Sequence, residues 1–142
     1  MKHNSKLVIV GSLIAAIFLA TLIISLFNKE ERVTLSFSNA DGSLMNVEER
    51  NIRIGSDYEE NVRRYVEEAL LGSENPGFLS LLPFGTAIRS LFIRDKVLYA
   101  DFSLAAATTS AHFWKIFYDE ILQNFGKIKD IRFFVEGYKI NL

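Results

Sequence analysis

Cysteine is absent from all 142 residues, and that one absence excludes disulfides, thiolate metal sites, a thiol nucleophile and a lipid-modified cysteine. It leaves the redox state of the compartment open. Proline occurs twice and histidine twice, and of the histidines only His112 follows the N-terminal apolar run. Asp41, Asp57, Asp95 and Asp101 are scattered without the spacing of an EF-hand loop. Gly72 to Gly85 includes three glycines but has neither the lysine nor the preceding strand of a phosphate-cradling P-loop. No metal and no cofactor is therefore expected. An excess of one charge is lacking too: the net charge is -1, and residues 33–142 carry 12 Lys plus Arg against 15 Asp plus Glu, a balance of -3. There is no basic stripe, and the 16 aromatics after residue 32 sit at core spacings rather than interleaved with Arg or Lys. Nucleic acid is not an expected partner.

What is present is apolar. Hydrophobic residues make up 49% and aromatics 13%, with 12 Phe, enough to bury a core and, at this length, one domain only. From Leu7 to Phe27 the run LVIVGSLIAAIFLATLIISLF continues for 21 residues without a charge, which at ~1.5 Å per residue spans the ~30 Å hydrocarbon layer. The competing reading is a removable signal peptide. The run is longer than an h-region of roughly 7 to 15 residues and no small-x-small cleavage site follows, which favours an uncleaved transmembrane anchor. A buried soluble helix would need a polar face, and none interrupts the run. Lys2 and Lys6 before it are matched by Lys29 and Arg32 after it, but Glu30 and Glu31 dilute the second flank. The positive-inside rule then makes 1–6 a short cytoplasmic tail, 7–27 the anchor, 28–32 a linker reaching at most ~18 Å, and 33–142 a domain outside the cytoplasm. The localisation this implies is the cell membrane, single-pass, with the C-terminal domain extracytoplasmic.

Val33, Leu35 and Phe37 alternate with Thr34, Ser36 and Ser38, the period of a strand with one buried face. Asn39, Asp41, Gly42 and Ser43 make a turn. Leu44 to Ile54 predicts a second strand, in which Glu48 to Asn51 break the alternation as a bulge or an exposed edge would. Asp57 caps the clearest helix, with Glu60 at the reciprocal capping-box position, Tyr58, Val62, Tyr65, Val66, Ala69 and Leu70 on one face, and Gly72 as its stop. The opposite face pairs Glu59 with Arg63, Glu60 with Arg64, Arg63 with Glu67 and Arg64 with Glu68, most simply a solvated surface. Ser73 to Thr86 is a loop with turn signals at Asn75–Gly77 and Pro83–Gly85. Strands Ala87 to Arg94 and Val97 to Phe102 follow, joined at Asp95 and Lys96 by a tight turn, or by a wider loop because lysine is not what such a turn favours. A second helix spans Ala111 to Phe125 between a Ser110 cap and Gly126, with Trp114, Phe117, Tyr118, Ile121, Leu122 and Phe125 on one broad face. A last strand, Asp130 to Glu136, turns Ile131, Phe133 and Val135 inward before Gly137. The order β-β-α-β-β-α-β predicts an α+β fold: a single small domain, a mixed β-sheet with two helices on one face, preceded by one N-terminal transmembrane helix.

This string of landmarks resembles the GerMN domain family, named for sporulation and spore-germination proteins of bacteria. The resemblance covers Val33 to Gly137. It rests on Val33–Phe37 followed by AsnAlaAspGly and GluGluArg, on EALLGSENPGFLSLLPFGTAI (Glu68–Ile88), on ValLeuTyrAlaAspPheSer (Val97–Ser103) and on the closing FFVEG (Phe133–Gly137). Each motif alone is weak, and their order and spacing together carry the resemblance. It implies an envelope-facing, non-catalytic domain with a sporulation or germination connection, similar in topology to ring-building modules of membrane-spanning assemblies. The sporulation member of the family looks like a lipoprotein with two such domains, whereas this chain has one copy, no cysteine, and Lys96 where the family usually has glycine.

Asp101, Ser103 and His112 supply the residue types of a hydrolytic triad, but no nucleophile elbow accompanies them, and strand-end Asp and Ser are common turn formers. No catalytic residue is assigned and the chain is not expected to be an enzyme. Recognition remains. The loop residues Asn75, Pro76, Phe78, Leu79, Pro83 and Phe84 form the candidate interaction site, either covering the core or presenting apolar anchors to a partner. The expected function is protein interaction or assembly in the bacterial envelope, with envelope proteins or further copies of the chain as partners beside the membrane itself. The alternative is a ligand-binding module for a cell-wall polymer.

Overall fold

The computed structural model of the protein describes residues 3–27 and 29–142. Met1, Lys2 and Asn28 lie outside the described residues, and with them the first two positions of the expected tail and the first of the expected linker. Helix α1 (His3–Phe27) has 25 residues and is about 37 Å long. None of Val8–Ser25 is buried, and this is the one stretch among the described residues long and apolar enough to cross a membrane. A signal sequence meets the same test.

The alternating Val33–Phe37 pattern makes a strand longer than its apolar residues require. β1 (Lys29–Ser38) and β2 (Met45–Ile54) pair antiparallel without interruption, from Lys29 opposite Ile54 to Ser38 opposite Met45. Lys29 to Arg32 are thus not a free linker, because Asn51 to Ile54 supply backbone partners for them. Nor does β2 bulge. Pairing stays one to one, and Glu48 and Arg50 break the hydrophobic alternation because they meet on the inner face as an ion pair at 2.7 Å.

Helix α2 (Tyr58–Leu71) starts where Asp57 Oδ1 accepts from the N–H groups of Glu59 at 3.0 Å and Glu60 at 3.4 Å, a cap of the kind that stabilises a helix by ~1 kcal/mol. Strand β3 (Leu79–Ser80) pairs with the far end of β1, at Ser38 and Phe37. β4 (Ile88–Arg94) and β5 (Val97–Phe102) are joined by the tight alternative, a two-residue turn in which Asp95 and Lys96 have φ of 53° and 64°, the type I′ geometry that matches strand twist. A short 3-10 segment (Leu104–Thr108) leads to α3 (Ala111–Asn124), capped by Ser110 Oγ accepting from Phe113 N–H at 3.2 Å. That crossover brings β6 (Asp130–Val135) parallel to β5, and β7 (Tyr138–Lys139) folds back on β6.

The α+β class and the element order are as expected, but the strands divide between two sheets, β2-β1-β3 and β4-β5-β6-β7, instead of sharing one. Side chains occupy the edges that a single sheet would have joined. On β1, Thr34 N–H donates to Asn124 Oδ1 at 3.1 Å and Thr34 C=O accepts from Asn124 Nδ2 at 3.0 Å. On β4, Ile93 N–H donates to Glu59 at 2.8 Å and Leu91 C=O accepts from Arg63 at 3.3 Å. The helices therefore intervene between the sheets. Their apolar faces, with Tyr65, Val66, Trp114 and Phe117, fill the core against Leu35 and Phe37 of one sheet and Leu98, Phe102 and Phe133 of the other.

Candidate interaction site

Local turns shape the loop from Ser73 to Thr86. Ser73 Oγ accepts from Asn75 N–H at 2.9 Å, Asn75 Oδ1 from Gly77 N–H at 3.2 Å and Asn75 C=O from Phe78 N–H at 3.0 Å, so Asn75 bends the chain over Pro76. A second turn closes where Thr86 donates to Pro83 C=O from N–H at 3.1 Å and from Oγ1 at 2.7 Å. Gly85 has φ of 85°, as the third position of a type II turn requires. Phe84 sits at the preceding corner and is fully exposed.

The two readings of the loop divide residue by residue. Leu81 and Leu82 are buried in the core, and Phe78 packs half-buried against it. Leu79 and Phe84 face solvent, with Asn75 and Pro76 exposed at the other bend and Pro83 half-buried. Leu71 joins them from the last turn of α2, and a groove of about 350 Å³ runs among Leu71, Pro76, Phe78, Leu79, Pro83 and Phe84. An exposed cluster of large apolar residues on a folded loop is what a partner surface needs.

An ion cluster ties this loop to the sheet. Arg50 donates to Glu48 at 2.7 Å, to Glu68 at 2.9 Å and to the Gly72 C=O at 2.7 Å, and lies over the Phe37 ring at 5.0 Å. Glu48 in turn accepts from Ser73 Oγ, from Glu74 N–H at 3.2 Å and from Asn46 at 2.8 Å. Burial would raise the Glu48 carboxyl, but the bonds from Ser73, Arg50 and Glu74 and the Arg50 charge outweigh it and hold the group at about 2. The loop thus begins from a fixed point. Glu68 belongs to this cluster and Glu59 and Arg63 to the edge of β4, so the charged face of α2 is not simply solvated. Of the four expected pairs only Glu60 with Arg64, at 3.3 Å, forms among the described residues, with Arg63 also 3.9 Å from Glu60, and Glu67 is exposed as a helix-surface residue.

The hydrolytic trio does not assemble. Asp101 accepts from Arg89 at 3.2 Å and from Gly137 N–H at 3.1 Å, Ser103 Oγ accepts from Ala87 N–H at 3.0 Å, and His112 is exposed on α3 beside Phe113. Among the described residues no three potential metal ligands converge. Buried Glu120 and Tyr65, with the half-buried Asn124, serve the β1 edge: Tyr65 OH donates to Thr34 C=O at 3.1 Å, and Glu120 faces Ser36.

One surface feature went unread in the sequence. Phe92, Tyr99 and Arg132 are cross-strand neighbours on the outer face of the second sheet. The two rings stack at 4.9 Å with 7° between planes, and the guanidinium lies over Tyr99 at 5.5 Å. The signal was available, since Phe92 and Tyr99 fall on the outward phase of their strands.

Residues 34–141 match the model of the Germane family, described as sporulation and spore germination. The chain belongs to this family. Its GerMN domain is similar in fold to the tandem GerMN domains of the sporulation protein GerM from Bacillus subtilis, with a TM-score of 0.52 and 17% identity over 78% of this chain, and it spans 40% of that tandem structure. The first GerMN domain of the same protein gives 0.49 and 16%, covering 78% of this chain and 86% of that one. A candidate lipoprotein from Clostridium perfringens gives 0.49 and 21%, covering 75% and 76%. No curated protein matches the chain in sequence. The family is named for sporulation and germination rather than for a reaction, and its GerMN fold is the one described above.

Proposed function

We propose that α1 anchors the protein in the cell membrane and that its GerMN domain, outside the cytoplasm, binds other envelope proteins without catalysing a reaction. The observation that carries this reading is Phe84, a fully exposed ring on a type II turn at the end of the domain remote from the anchor. β1 leaves the anchor side and extends about 30 Å over its length, and the loop attaches where Phe37 and Ser38 pair with β3. The ring is therefore held away from the bilayer and available to a protein partner. A benzophenone side chain placed at position 79 of the full-length protein in cells tests this. An adduct with another envelope protein that disappears in Phe84→Ser is expected, and an adduct unchanged by Phe84→Ser contradicts the role given to the ring. Phe84→Ser is expected to change folding stability by less than about 0.5 kcal/mol, because an exposed side chain loses little packing.

A second reading has its own observation, the Phe92–Tyr99–Arg132 row, whose flat aromatic face suits the ring of a wall sugar. Saturable binding of purified wall polymer that is lost in Tyr99→Ala and retained in Phe84→Ser would favour it over the first.

A further inference from the structure

Among the described residues each long strand edge is covered along at least part of its central stretch except one. Asn124 and Glu120 take the free side of β1, Glu59 and Arg63 that of β4, and β7 with Ile140, whose N–H donates to Phe133 C=O at 2.9 Å, that of β6. β2 is the exception. Thr34 turns its N–H and C=O away from β2 towards Asn124, so its partner Glu49 must turn its own away from β1. Arg64 meeting the Arg53 C=O from outside at 3.2 Å gives the same phase. By alternation the N–H and C=O groups of Met45, Val47, Glu49 and Asn51 point outward, and no hydrogen-bonding group among the described residues meets them. The usual guard of an edge, charged side chains, is reduced between Met45 and Asn51 to Glu49, which is itself paired with Arg32 at 3.2 Å on the outer face, whereas Met45 and Val47 are exposed and apolar.

We infer that the edge of β2 from Met45 to Asn51 takes up an extended segment of a different envelope protein as an added strand. This rests on the anchored, extracytoplasmic reading above. A second copy does not fit the edge. Antiparallel self-pairing about a twofold would put the two anchors at opposite ends of a ladder about 30 Å long, out of reach of one bilayer. Copies standing side by side would set N–H against N–H across the twofold. The outer face of the added strand meets Met45 and Val47 and requires apolar residues at alternate positions. Its inner face overlies a groove of about 400 Å³ between β2 and α2, where Leu71 and the exposed Glu67 favour an apolar residue followed by a lysine or arginine.

Benzophenone side chains placed singly at positions 45, 47, 49 and 84 of the full-length protein in cells test the inference. Adducts from 45, 47 and 49 are expected to fall on one segment of one partner, the contact point moving by two residues per step. Val47→Pro removes an outward N–H without touching the ladder to β1 and is expected to abolish the adducts at 45 and 49. Val47→Lys, which keeps that N–H, is expected to weaken them. Homodimer adducts, contacts without the two-residue step, or adducts insensitive to Val47→Pro overturn the added strand. Adducts at 84 with none at 45 to 49 overturn it while leaving the anchored reading in place, and a domain found inside the cytoplasm overturns both.

Discussion

At Arg50 one guanidinium with 9% side-chain exposure holds Glu48, Glu68 and the carbonyl that ends α2. Removing it leaves two carboxylates facing one another in a half-closed site, and Arg50→Ala is expected to cost about 3 kcal/mol in chemical denaturation. Amides of Gly77 and Phe78 should exchange faster in that variant. Glu48 sets a pH dependence of known sign. Its folded value of about 2 lies below the ordinary 4.5, so the unfolded chain takes up the proton first and stability present above about 4.5 is lost as pH falls towards 2. Glu48→Gln should abolish that part of the slope. Glu120 behaves oppositely, because burial raises its carboxyl from the ordinary 4.5 despite bonds to Ser36 and Tyr65. Its stabilising contribution is present below 4.5 and lost as pH rises through the folded value, and one of its oxygens lacks a partner among the described residues. Glu120→Gln is expected to raise stability at pH 7 by about 1 kcal/mol, measured by urea titration.

Among the elements, those whose signal is local were legible before the structure. The Asp57 and Ser110 caps, the apolar faces of α2 and α3 and the alternation in β1 and β6 all lie within a few residues of sequence. Apart from β4 and β5, whose pairing the short Asp95–Lys96 connection made legible, strand partners were not legible, because alternation says which face a strand buries and nothing about what meets its edge. The division into two sheets depends on Asn124 reaching Thr34 and Glu59 reaching Ile93, contacts between residues far apart in sequence. The same limit concealed the Arg50 cluster behind an apparent bulge. In the candidate loop, composition identified the turns and the apolar residues, but only packing separates the buried Leu81 and Leu82 from the exposed Leu79 and Phe84. The β4–β5 turn carries its own test. Lys96 holds φ of 64° where glycine has no Cβ penalty, and Lys96→Gly is expected to raise stability by about 1 kcal/mol in thermal or chemical unfolding.

For the whole molecule, the short passage from α1 to β1 is the feature with the largest consequence. Lys29 follows Phe27 by two positions and is already paired with Ile54, so the GerMN domain has almost no tether and must sit against whatever holds α1. That places the Lys29–Ile54 end of the first hairpin next to α1 and leaves Phe84 and the open half of β2 at the remote end. If α1 is the anchor proposed above, a domain so held would meet partners at a fixed height above the membrane. Protease added to intact spheroplasts expressing the full-length protein measures this most directly. Cleavage at the exposed Asn75–Gly77 bend is expected, while full protection, with a known external domain cleaved in the same cells and this chain cleaved after detergent lysis, would contradict it.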